Sequence, residues 1–218
     1  MAYASEPWFL VCHGLRIKGF ATPSSVAEVS GLEAGTVVAE LERLAGDGYV
    51  NLREGRITGW SLTPAGRRAH ADACGAELAA AGARNALDEA YRGFLAVNAG
   101  LLRVCTDWQL RADAPAGAQV LNDHADPDYD AGVVRRLGDI DAAVQPVVEP
   151  LGQVLERFRR YGTRLGAARR RVENGEHDWF TGAMIESYHT VWFELHEDLL
   201  ATLGIDRASE AKAGSGVR

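Results

Sequence analysis

Residues 46–68 read GDGYVNLREGRITGWSLTPAGRR, and this stretch decides the fold. Gly46 and Gly48 end whatever precedes them. Tyr49, Val50 and Leu52 then form one strand, Glu54-Gly55-Arg56 a turn, and Ile57 to Leu62 the returning strand. Thr63-Pro64 starts a helix, because a threonine hydroxyl caps free backbone N–H groups and proline is tolerated at the first helical position.

The segments upstream of this hairpin have helical signals. PWFLVCHGLRIKG (7–19) carries Phe9, Leu10 and Ile17 at helical spacing and stops at Gly19. In TPSSVAEVSG (22–31), Thr22 is the cap, Pro23 the first helical residue, Val26 and Val29 the buried side, and Gly31 the turn. A third helix, Glu33 to Ala45, aligns Val37, Leu41 and Leu44 on one stripe. Three helices and a hairpin make a winged helix-turn-helix. The predicted fold is mainly α: a winged helix-turn-helix domain over 1–70, an α-helical ligand-binding and dimerisation bundle over 71–205, and a disordered tail over 206–218.

The helix order, the GDGYV exit and the WSLTPAGR run resemble winged-helix transcriptional regulators of the MarR and PadR type, over roughly the first third of the chain. HGLRIKGFAT is also similar to segments of modules attached to pyruvate phosphate dikinase-like proteins. The first resemblance implies DNA binding, with the third helix as the reading element. With its apolar stripe inward, that helix turns Gly35, Thr36, Ala39, Glu42 and Arg43 outward, so only Thr36 and Arg43 suit base-edge contacts. Arg53 and Arg56 flank the hairpin turn and Arg67 and Arg68 open the next helix, where all four can meet phosphate. Residues 1–70 hold seven basic and seven acidic side chains. A neutral module binds DNA weakly alone, which predicts a homodimer. The other reading is a winged helix used for packing or partner contact.

The whole chain has 218 residues, a net charge of −7 and 47% hydrophobic content, which suits a folded protein and excludes general attraction to polyanions. Basic n-region, apolar leader and 18-residue apolar run are all missing, so the expectation is a cytoplasmic protein with no membrane partner. Cys12, Cys74 and Cys105 lack any CxxC spacing and read as buried free thiols.

Beyond a connector helix at 63–83, residues 85–111 form a long helix with a stripe of Leu87, Tyr91, Phe94, Asn98, Leu101 or Leu102, Cys105 and Trp108. Asn98 interrupts that stripe and bonds either to another helix or to a ligand. The loop ADAPAGAQVLNDHADPDYDAG is acid-rich but lacks the glycine and glutamate of a calcium loop; its acids read as solvated groups and helix caps, with Asp128 starting the next helix. That helix is expected over 128–160, kinked at Pro146 and Pro150, and the arginines from Arg157 to Arg171 are expected on a solvated face paired with the acids of 123–141.

The final helix is predicted over 178–203, with Met184, Ile185, Tyr188, Trp192, Leu195, Leu199 and Leu203 on one side. His189 and His196 stand two turns apart, about 10.5 Å, too far to share a metal without further ligands such as Asp107 or His124. Resemblance to fatty-acid-regulator-type effector domains, some of which hold a metal by Asp and His, stops at architecture. Neither metal nor cofactor is predicted. Tyr91, Phe94, Asn98, Trp108, Tyr188, His189, Trp192 and His196 instead form the candidate pocket for a small hydrophobic or aromatic effector. Catalytic motifs are lacking, so the chain reads as a ligand-responsive regulator and not an enzyme. The alternative is a small-molecule-binding or partner-regulating protein whose winged helix does not bind DNA.

Overall fold

The computed structural model describes residues 1–113, 115 and 118–207. The fold is mainly helical with one two-stranded antiparallel sheet. Helices α1 (Pro7–Lys18), α2 (Pro23–Ser30) and α3 (Ala34–Gly46) precede strands β1 (Val50–Arg53) and β2 (Gly59–Leu62), and α4 (Pro64–Ala81) follows. Then come α5 (Arg84–Gln109), α6 (Pro127–Val148), α7 (Leu151–Val154), a 3-10 turn (Glu156–Phe158), α8 (Arg159–Glu173), α9 (Asp178–Thr181) and α10 (Tyr188–Leu203). Among the described residues, no helix is long and apolar enough to cross a membrane.

The local signals at the N-terminal end act as expected. Thr22 Oγ1 accepts from Ser25 N at 3.3 Å, and Gly31 closes α2 in the left-handed region at φ 74°. Thr63 Oγ1 accepts from Gly66 N at 3.0 Å and donates to Gly48 O at 2.8 Å, tying α4 to the entrance of the hairpin. Gly66 explains the rest of the TPAGR run, since a Cβ there would lie 2.0 Å from Tyr49 O. Any side chain would push α4 off the strand. β1 and β2 pair from Val50↔Leu62 to Arg53↔Gly59, so the returning strand begins at Gly59 and not at Ile57, whose side chain is exposed. Val11, Leu15, Val26, Val37, Leu41, Leu44, Val50 and Leu62 form one buried core under these elements. Each such side chain contributes roughly 1.5–3 kcal/mol on burial.

The chain divides into two compact units, and the division differs from a cut at residue 70. The first holds Met1–Asp88, Gly152–Arg157 and the segment from Glu194 onward; the second holds Glu89–Leu151 and Phe158–Phe193. Charge accounts for part of this. Within the first unit, Glu194 pairs with Lys18, and Glu197 with Arg16 at 3.3 Å, so the second half of α10 neutralises the basic end of α1. From 208 on, the tail expected at 206–218 lies outside the described residues.

Three helix boundaries in the second half differ from expectation. Asp126, not Asp128, caps α6, accepting from Tyr129 N at 3.1 Å with Pro127 in the first turn. The single helix expected over 128–160 breaks after Val148; Pro146 stays within α6, whereas Pro150 lies in the break. Proline has no N–H to continue the ladder and clashes with the preceding turn. The helix expected over 178–203 is two pieces, because Ser187 Oγ accepts from Thr190 N at 3.2 Å and starts α10 afresh. Met184, placed on the apolar stripe by its spacing, is 93% exposed.

Candidate functional site

The hairpin and the start of α4 carry four exposed cations of the first unit. Arg53, Arg56, Arg67 and Arg68 are all exposed, and among the described residues none makes an ion pair. Arg53 and Arg67 line a concavity of about 570 Å³ together with Phe20, Asn51, Leu52 and Ser61. Thr36 is exposed on α3. Arg43 is exposed too, but it is held by Glu40 at 2.8 Å and Asp47 at 2.9 Å. The Glu40 hydrogen bond, then the nearby carboxylate charge, raises its pKa.

The eight residues expected around one pocket do not form a single set. Asn98 Oδ1 accepts from Trp192 Nε1 at 2.9 Å, so the amide links α5 to α10. Phe94 packs 4.8 Å from Trp192, and Tyr188 lies 6.1 Å from it. The Tyr188 hydroxyl donates to Asp141 at 3.2 Å; burial, then the Asp141 charge, raises its pKa well above the usual range. Tyr91 and His189 are half-buried, and burial lowers the His189 pKa. His196 belongs to the first unit. Trp108 stands apart from the Asn98 group, with its ring centroid 4.4 Å from His124 and 4.8 Å from Phe180.

The cavity of the second unit is lined elsewhere. It measures about 710 Å³ and lies along α6 and α8, with His124, Asp130, Val134, Arg169, Val172 and His177 among its lining. None of the eight expected residues lines it. At its mouth, His124 Nδ1 lies 2.9 Å from Asp130 Oδ2, while Asn122 Nδ2 donates to Asp130 Oδ1 at 2.7 Å and to Trp108 O at 3.1 Å. His124 has φ 60°, the left-handed region that non-glycine residues rarely adopt. Arg169 Nε donates to Asp141 at 3.1 Å, an ion pair between the arginine run and the acids of 123–141.

No family model, curated protein or solved structure matches the chain. Its own chemistry is what remains to read.

The arginine run holds one more surprise. Arg157, expected on a solvated face, is 5% exposed at the side chain and lies between Glu77, at 2.9 Å, and Asp198. Its Nη2 also donates to Thr202 Oγ1 at 2.7 Å. His13 Nε2 lies 2.9 Å from Asp198, and its Nδ1 is 2.8 Å from His70 Nε2, which is 3.5 Å from Cys74 Sγ. Phe9 stacks on both imidazoles.

Burial opposes the Asp198 charge, yet Arg157 and His13 hold its carboxyl well below the usual range. Burial, with the nearby charges of His13 and Arg157, pushes His70 down to about 2. Burial likewise pushes Cys74 up to about 12, which disfavours the thiolate at neutral pH. Cys12 and Cys105 are buried and free as well, each pushed up to about 12. Sequence reasoning missed this network. The only local trace was His70, Cys74 and Glu77 on neighbouring turns of α4.

Proposed function

We propose that α1–α3 and the β1–β2 hairpin form a winged helix that binds DNA, and that the chain is a ligand-responsive transcriptional regulator without catalytic activity of its own. The observation that carries this reading is the unpaired state of the hairpin cations. Arg53 and Arg67 share one concavity with Asn51 and Ser61, and no carboxylate among the described residues neutralises them. Guanidinium groups with hydroxyl and amide neighbours suit phosphate, which dominates affinity for duplex DNA. Arg16 and Lys18 are already paired with Glu197 and Glu194, so the contact falls to the hairpin side. A homodimer would double these few contacts. The effector site in this reading is the cavity along α6 and α8, whose volume of about 710 Å³ falls in the range of small-molecule pockets.

The test is a salt titration of the full-length protein against its own promoter DNA, read by fluorescence anisotropy. Affinity should fall steeply with salt, and Arg53→Glu or Arg56→Glu should flatten the log–log slope by about one and weaken all sequences alike. Unchanged slope and affinity in both variants would overturn the hairpin as the contact. A second reading is favoured by Arg43, the one cation on the outer face of α3, because Glu40 and Asp47 occupy it. In that reading the module contacts a protein partner, and no salt-dependent DNA affinity is found even at low salt.

A further inference from the structure

We infer that His124, Asp130 and His177 form a binding site for a divalent transition-metal ion at the mouth of the cavity along α6 and α8. One donor atom from each of the three residues lies within 4.8 Å of the others. Two imidazoles and one carboxylate are a donor set suited to zinc, cobalt, nickel or ferrous iron. Around a tetrahedral ion with bonds of about 2.0–2.2 Å the donors stand about 3.4 Å apart, so the widest pair must close by up to roughly 1.4 Å. His124 and His177 are exposed and can make that adjustment.

The surroundings are built as a metal site needs. Asn122, buried, donates from Nδ2 to Asp130 Oδ1 at 2.7 Å and to Trp108 O at 3.1 Å, with His124 Nδ1 at 3.2 Å from the same nitrogen, which orients the carboxylate with Oδ2 toward His124. Such outer partners orient ligating groups. Trp108 backs both imidazoles, with its ring centroid 4.4 Å from His124 and 5.1 Å from His177. The left-handed backbone at His124 turns its ring back over Asp130, six residues further on. Strain of this kind is retained where the surroundings impose it. Three protein ligands leave at least one coordination position open, and since all three residues line the cavity, a small molecule or water there can complete the shell.

The inference concerns the cavity named above as the effector site but needs neither DNA nor effector, so it can fail while the DNA reading stands. Full-length protein free of any histidine tag is stripped with EDTA, then titrated with Co²⁺ followed by absorbance and with Zn²⁺ in competition. The expected result is one ion per chain, with visible d–d bands and no thiolate charge-transfer band, and displacement of Co²⁺ by Zn²⁺. His124→Ala and His177→Ala should each weaken binding at least tenfold with unchanged circular dichroism. Asn122→Ala should weaken it roughly tenfold by releasing Asp130. Absence of stoichiometric binding would overturn the inference. So would a thiolate band, which would assign the ion to His13, His70 and Cys74, or full retention of binding in both histidine variants.

Discussion

Two clusters in this protein have nearly the same donor chemistry and opposite surroundings. His13, His70 and Cys74 in the first unit are all buried, whereas in the second unit His124 and His177 are exposed and only Asp130 is buried. Both sets bring their donor atoms within 4.8 Å. In the first, the lone pairs and protons are already committed: His13 faces Asp198 on one nitrogen and His70 on the other, and Phe9 stacks on both rings. In the second, a cavity of about 710 Å³ opens at the donors. Donor identity alone therefore does not make a site. What matters is access: His124 Nδ1 also pairs with Asp130, but that pair lines a cavity with two exposed imidazoles, whereas the first cluster is buried on all three members.

Breaking the buried cluster should cost most. Arg157→Ala leaves Glu77 and Asp198 buried without their guanidinium, and removal of one member of such a network destabilises by about 3–5 kcal/mol. Urea unfolding followed by Trp fluorescence measures this. A loss under 1 kcal/mol would mean that the carboxylates find water.

The pH dependence comes next. His70 holds a folded pKa of about 2 against about 6.5 in the unfolded chain, so as pH falls the unfolded chain takes up a proton first. This contribution is complete above pH 6.5 and declines by about 1.4 kcal/mol per pH unit below it. Asp198 has a depressed carboxyl, so its stabilisation is present above its unfolded pKa of about 3.9 and is lost as pH falls toward the folded value. Unfolding midpoints from pH 7.5 to 5, taken in EDTA to exclude metal, therefore report the histidines whose pKa burial lowers, His70 with a smaller contribution from His189. His70→Gln should flatten the slope over that window; an unaltered slope would show that another group carries it.

The smallest effect belongs to the exposed cluster. His177→Ala removes an exposed side chain and should change stability in EDTA by no more than about 0.5 kcal/mol. A larger loss would make His177 part of the packing and erase the contrast.

Much of the first unit was legible because its signals are local. Thr22, Thr63, Gly31 and the GDGYV exit each act within a few residues, and the stripe Val37, Leu41, Leu44 is buried as its spacing predicts. Helix breaks were less legible: the Ser187 cap sits inside a run whose apolar spacing continues through it. The sites were least legible of all. Arg157 meets Glu77 80 positions away and His13 144 positions away, and no periodicity encodes such partners. Asn98 illustrates the same limit, since its choice between helix partner and ligand was decided by Trp192, 94 positions on.

The discontinuity of the first unit has a consequence for how the protein is made. Residues 1–62 contain one buried core, and His70 follows its partner His13, but Glu77 is made 80 positions before Arg157. Arg157 and Asp198 are separated by 41 positions, which at about 5–20 residues per second is about 2–8 s of further synthesis. During that interval Arg157 can meet Glu77 but lacks Asp198, and Arg16 and Lys18 lack the α10 carboxylates that pair with them. α10, made after Arg157, supplies the second carboxylate of that buried cluster.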